Sequence, residues 1–95
     1  MGLSAREQRL FRASVDEHMA CVRAAARDLV PYSSEGAETL ATAILARCSD
    51  HERKRVTVAI NLGISRDSAE AIMARHVAEV RRQVIHQIAG RTRQS

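Results

Sequence analysis

The segment Leu29-Val30-Pro31-Tyr32-Ser33-Ser34-Glu35-Gly36 decides how this chain is folded. Proline removes a backbone donor and disfavours helix in the residue before it, so a helix arriving from the amino terminus must stop here. The serines that follow are natural caps for a new helix, and Glu35 and Glu38 sit where an amino-terminal helix dipole favours negative charge. A short link of this kind sends the second helix back along the first. Working outward, Phe11, Val15, Val22, Ala26 and Leu29 recur at three- and four-residue steps before the turn, and Ala37, Leu40, Ala41, Ile44, Leu45 and Cys48 do so after it. Such spacing is helical, with no alternating stretch that would suggest a strand.

Downstream, Ser49-Asp50-His51-Glu52 has the serine-to-glutamate spacing of a capping box, which predicts a third helix from Asp50 to Leu62, with an uninterrupted helix as the competing reading. Gly63 is placed to terminate it in a left-handed carboxyl cap. Ser65 opens a long last helix whose Ala69, Ile72, Met73, His76, Val77, Val80, Val84 and Ile88 hold one stripe up to Gly90. The expectation is an all-α fold: one domain over residues 1–95, a small antiparallel bundle of about four helices at 3–30, 34–48, 50–62 and 65–89, and a frayed basic tail at 91–95.

Sixteen of the 95 residues are alanine, and Phe11 and Tyr32 are the whole aromatic complement. Small side chains bury little area, so at roughly 25 cal/mol per Å² the apolar contribution exceeds chain entropy only narrowly. A cross-link or an oligomeric interface is the expected supplement. Basic residues outnumber acidic ones by 15 − 11 = 4. Arg75, Arg81, Arg82, Arg91 and Arg93 concentrate that excess near the end, a surface suited to nucleic acid, an acidic protein face, anionic lipid or simple solvation. No apolar run approaches the roughly 20 residues that span a bilayer, so no membrane association is expected. The amino terminus lacks a signal-like apolar core, which points to the cytoplasm; a Met1-Gly2 start in place of a removed leader would point to export instead.

The residues richest in chemistry are two mirrored words, His18-x-x-Cys21 and Cys48-x-x-His51. Residues three apart share a side of a helix, and mirrored order lets Cys21 meet Cys48 and His18 meet His51 across an antiparallel pair. Two thiolates and two imidazoles form a complete tetrahedral zinc set, so one structural zinc on His18, Cys21, Cys48 and His51 is one reading. A Cys21–Cys48 disulfide is the second, and two free thiols the third, both without a cofactor. His76 lies on the apolar stripe of the last helix, where a hydrogen-bonded core histidine is expected, and His86 points elsewhere. Serines fall at caps and no glycine loop cradles a phosphate, so the chain reads as non-enzymatic, with His76 the first histidine to mutate in any search for activity.

The pattern Ala59-x-x-Leu62-Gly63-Ile64-Ser65, with Ala69, Ile72 and Arg75, resembles the helix-turn-helix of bacterial DNA-binding proteins over about twenty residues within 56–78. That resemblance implies a recognition helix opening near Ser65, Arg66, Asp67, Ser68, Glu70 and Ala71, with Ser65, Arg66, Ser68 and Arg75 as the DNA-contacting set. The words around Cys21 to Ala26, Glu38 to Ala43 and Cys48 to Arg53 also resemble a group of small, uncharacterised two-cysteine helical proteins of proteobacteria. This second resemblance implies a cysteine pair across the first hairpin, an exported setting and no particular function. The leading expectation is a helical protein-interaction module with a protein partner, forming a homo-oligomer, in the manner of a structural protein or a phage or mobile-element inhibitor. A DNA-binding regulator is the alternative.

Overall fold

A computed structural model describes the backbone of residues 2–94 and the side chains of residues 2–90. The fold is all-α, with α1 at Ala5–Leu29, a 3-10 turn at Val30–Tyr32, α2 at Ala37–Arg47, α3 at Ser49–Asn61 and a long α4 at Arg66–Gln94. Proline sits at the start of the 3-10 turn, where its missing donor costs nothing, and α1 ends there as its chemistry requires.

Cys48 alone separates α2 from α3, in a turn conformation at φ −104° and ψ 15°, so the two helices follow one another as one interrupted rod. Both α1 and α4 pack against α2 and α3, while α1 and α4 come into little direct contact. Cross-links fix the direction: Asp28 pairs with Arg47 and Glu17 with Lys54, so α1 is antiparallel to the rod. Arg81 reaches Thr42 and His76 reaches Arg55, so α4 is antiparallel to it too. Four helices therefore fill three columns, up, down and up, in an elongated particle of 50 × 23 × 19 Å.

The helix ends correct several local expectations. Ser4, not anticipated as a cap, forms a full capping box with Glu7, each side chain bonding the other's backbone N–H. The box expected at Ser49 and Glu52 does not form: α3 starts one residue earlier than that spacing requires, with Cys48 at the cap position and Ser49 as the first helical residue, and the Glu52 N–H bonds Cys48 O instead. Gly36 is the cap of α2, and Ser33 Oγ instead accepts the Glu35 N–H. Ser65 does cap α4, accepting the Ser68 N–H at 3.2 Å. α4 continues through Gly90, since a lone helical glycine costs only about 1 kcal/mol. The fraying expected for side chains 91–95 lies outside the described residues.

Gly63 ends α3 as expected, at φ +99°, with Gly63 N–H bonding Ile60 O and Ile64 N–H bonding Ala59 O. This paired pattern is a Schellman cap, and only glycine enters that backbone region without strain. Gly63→Ala meets no steric neighbour but is expected to lower stability by about 1 kcal/mol, measurable by urea denaturation.

The buried face of α1 is Ser14, His18, Val22 and Ala25, rotated from the stripe that its larger apolar residues suggest. Phe11, expected inside, is 37% exposed, and Ile72 of α4 is 48% exposed. A seam of small residues lets α1 approach the rod closely, and the bonds made by Cys21 and His18 hold that seam inward. The continuous core, with Val22, Ala25, Leu40, Ala41, Ile44, Leu45, Cys48, Val80, Val84 and Ile88, occupies the half of the molecule containing the α1–α2 turn. Ala59, Ala69 and Met73 are buried separately in the opposite half.

Candidate functional site: an arginine–histidine layer beside a disulfide

Between those halves lies a polar layer. The structure brings together all four residues of the mirrored words. Cys21 and Cys48 are joined as a disulfide with their Cα atoms 5.9 Å apart. One turn toward the open half, the His18 and His51 rings face each other nearly parallel, at 16° and 6.5 Å between centroids. Of the three cysteine readings, the bridged pair is the one present. Sulfurs bonded to each other carry no thiolate, so in this state the constellation offers a metal only its imidazoles.

His18 is fully buried and its neighbour across the interface is Arg55, a residue that the sequence reading passed over. Arg55 Nη1 lies 2.9 Å from His18 Nδ1 and 2.7 Å from His76 Nδ1. A guanidinium only donates, so each imidazole must present a lone pair at Nδ1. That assignment fixes the chemistry: both rings are neutral, each carries its proton on Nε2, and one nitrogen's two N–H groups tie α1, α3 and α4 together. His76 is thus the hydrogen-bonded core histidine that its position on α4 suggests. The His18 Nε2–H, by contrast, is buried without an acceptor among the described residues.

Electrostatics follow from burial first. Desolvation, then the positive charge of Arg55, push His18 down from 6.5 to about 4. The same causes lower His76, opposed by Glu79. Burial raises the Glu52 carboxyl, opposed by the attraction of Arg55. Desolvation lowers Arg55 too, with Glu52 opposing, but a guanidinium stays charged at any ordinary pH. At the exposed edge, Lys54 donates to Glu17 at 2.7 Å and holds that carboxyl below its usual range.

The residues implied by the helix-turn-helix resemblance stand on the surface of α4. Ser65 caps the helix, Arg66 pairs with Glu70 at 3.7 Å, and Ser68 and Arg75 are exposed. The corner at Gly63 has its own geometry. Arg55 lies eight residues before it and His76 thirteen after, about 12 and 20 Å along their axes. A right-angled corner would hold these residues more than ~20 Å apart, yet they touch, so α3 and α4 lie side by side instead of crossing as helix-turn-helix pairs do.

A grouping of three or more histidine, cysteine or acidic side chains arranged to hold a metal is not found among the described residues. No helix among them is long and apolar enough to cross a membrane. No family model, curated protein or solved structure matches the chain.

Proposed function

We propose that this protein is a non-enzymatic helical interaction module that assembles with further copies of itself through the half of the molecule opposite the main core. One observation carries the reading. Of the five large apolar side chains exposed among the described residues, Leu3, Leu10, Phe11 and Ile72 all belong to that half, and only Tyr32 lies elsewhere. Scattered apolar residues are ordinary on a surface, but a cluster at one end of a small, alanine-rich domain marks a surface that gains by being covered. The histidines support the non-enzymatic part: with the Nδ1 lone pairs of His18 and His76 accepting from Arg55, neither offers a free base at that nitrogen.

Light scattering coupled to gel filtration from micromolar to tenfold higher concentrations tests this. The wild-type chain is expected to exceed monomer mass, and Phe11→Glu with Ile72→Glu to weaken assembly by about tenfold or more, because each carboxylate would be buried without a partner. A wild-type monomer throughout the range would refute self-assembly.

A further inference from the structure

The α1/α4 face of the main-core half is a second surface with a different character. Because α1 and α4 run parallel on the flanks of α2 with little contact between them, a cleft of about 430 Å³ stays open along the outside. Met19, Val22 and Ala26 line it from α1, Val30 from the following turn, and Val80 and Val84 from α4. Val22, Val80 and Val84 lie deepest in it, 4%, 2% and 7% exposed, and the half-buried Met19, Ala26 and Val30 form its accessible apolar edge. No residue of α2 lines the cleft, which therefore opens on the side of α1 and α4 away from it.

The rims define what fits. On the α1 side stand Arg23 and Arg27, one turn apart and exposed; on the α4 side stand the neutral Gln83 and Gln87. Neither arginine takes part in an ion pair among the described residues, whereas five other basic side chains do. The exposed apolar end of a second copy would bring the wrong charge, its Leu10 and Phe11 being flanked by Arg9 and Arg12. We propose that this cleft is the docking site for an acidic amphipathic helix of another protein, laid antiparallel to α1 and α4. Its apolar stripe enters the cleft and its carboxylates meet Arg23 and Arg27. Met19 to Val30 spans roughly 17 Å, which sets the contact at about three turns. Met19 is the adaptable element of the wall, an unbranched side chain that accommodates different apolar partners.

The proposal is independent of self-assembly through the opposite half, and the test separates them. Fluorescence anisotropy would follow three labelled, end-capped helical peptides of about fifteen residues: leucine stripe with glutamate flanks, the same stripe with lysine flanks, and a scrambled glutamate sequence. The glutamate helix is expected to bind at micromolar concentration, at least about tenfold tighter than the other two, and to weaken as salt rises. Exchanging both rim arginines, R23E with R27E, lies on the surface and should invert the preference toward the lysine helix. Ala26→Arg should fill the cleft and abolish binding, with circular dichroism confirming the fold. Phe11→Glu with Ile72→Glu should leave peptide affinity unchanged. Equal binding of all three peptides, no binding, or indifference to R23E/R27E overturns the proposal. So does a dimer that disappears in Ala26→Arg, since a second copy would then occupy the cleft.

Discussion

Replacing Cys21 and Cys48 together by alanine is expected to lower unfolding stability by about 3.5 kcal/mol, the loop-closure value for a bridge between residues 27 apart in sequence. For a domain of this length that corresponds to a fall in Tm of about 15–25 °C, because unfolding entropy scales with chain length. The magnitude is large relative to what the core supplies. Its side chains are mostly alanine, valine and leucine-sized, and the biggest fully buried ones are Ile44, His18 and Cys48. Thermal melts of oxidised wild type, reduced wild type and the double variant would measure the effect, with the last two expected to agree. A reduced protein that melts within a few degrees of the oxidised one would contradict the assignment.

Acid is expected to produce the second large loss. His18 binds a proton at 6.5 when unfolded and only at about 4 when folded, so the unfolded chain takes up protons first as pH falls. Its stabilising effect is complete above about pH 6.5 and disappears progressively between there and pH 4, amounting to roughly 3 kcal/mol. His76, lowered in the same direction, adds to the loss. Glu52 acts oppositely, since its raised pKa makes the folded state the better proton acceptor just above 4.5. The carboxyls of Glu7, Glu17 and Glu79 are lowered and weaken the fold only as pH falls below 4.5, beneath most of the histidine window. Structurally, a protonated imidazole turns its Nδ1 into a donor that faces the Nη1 of Arg55, setting cation against cation. Urea denaturation between pH 8 and 4 should show the decline, and His18→Gln, which keeps an acceptor without a titrating group, should flatten it. An identical slope in that variant would locate the sensitivity elsewhere.

The element order was readable because its signals are local. Pro31, Gly63 and Ser65 act through backbone chemistry that no tertiary contact alters, and each does in the fold what its type dictates. Ser4 with Glu7 carried the same spacing as Ser49 with Glu52, yet only the first forms a box. The difference is register: Ser4 stands at the cap position of α1, whereas Cys48 holds that position in α3 and leaves Ser49 one residue inside the helix. The buried face of α1 was legible in part, because Ser14, His18, Cys21 and Ala25 form a seam of small residues at helical spacing where another helix can approach closely. Phe11 and Val15 weigh more in an apolar stripe than Ser14 and His18, but the Cys21–Cys48 cross-link and the Arg55–His18 hydrogen bond turn the seam inward.

The cysteine–histidine words located the site, while Arg55 went unnoticed because an arginine among Arg53 and Lys54 reads as solvated surface. Its signal was positional. Arg55 stands seven residues after Cys48 and four after His51, two turns and one turn along the same side of the rod. A basic residue in register with a buried histidine seam is a candidate donor to it.

The arginine–histidine layer also divides the molecule for fluctuations. Apolar contacts that would make all helices melt together are interrupted where Arg55 spans His18 and His76, and the covalent bridge lies on one side of that interruption. Hydrogen exchange is therefore expected to be faster in α3 and the first halves of α1 and α4, through partial opening, than around α2, where it should require global unfolding.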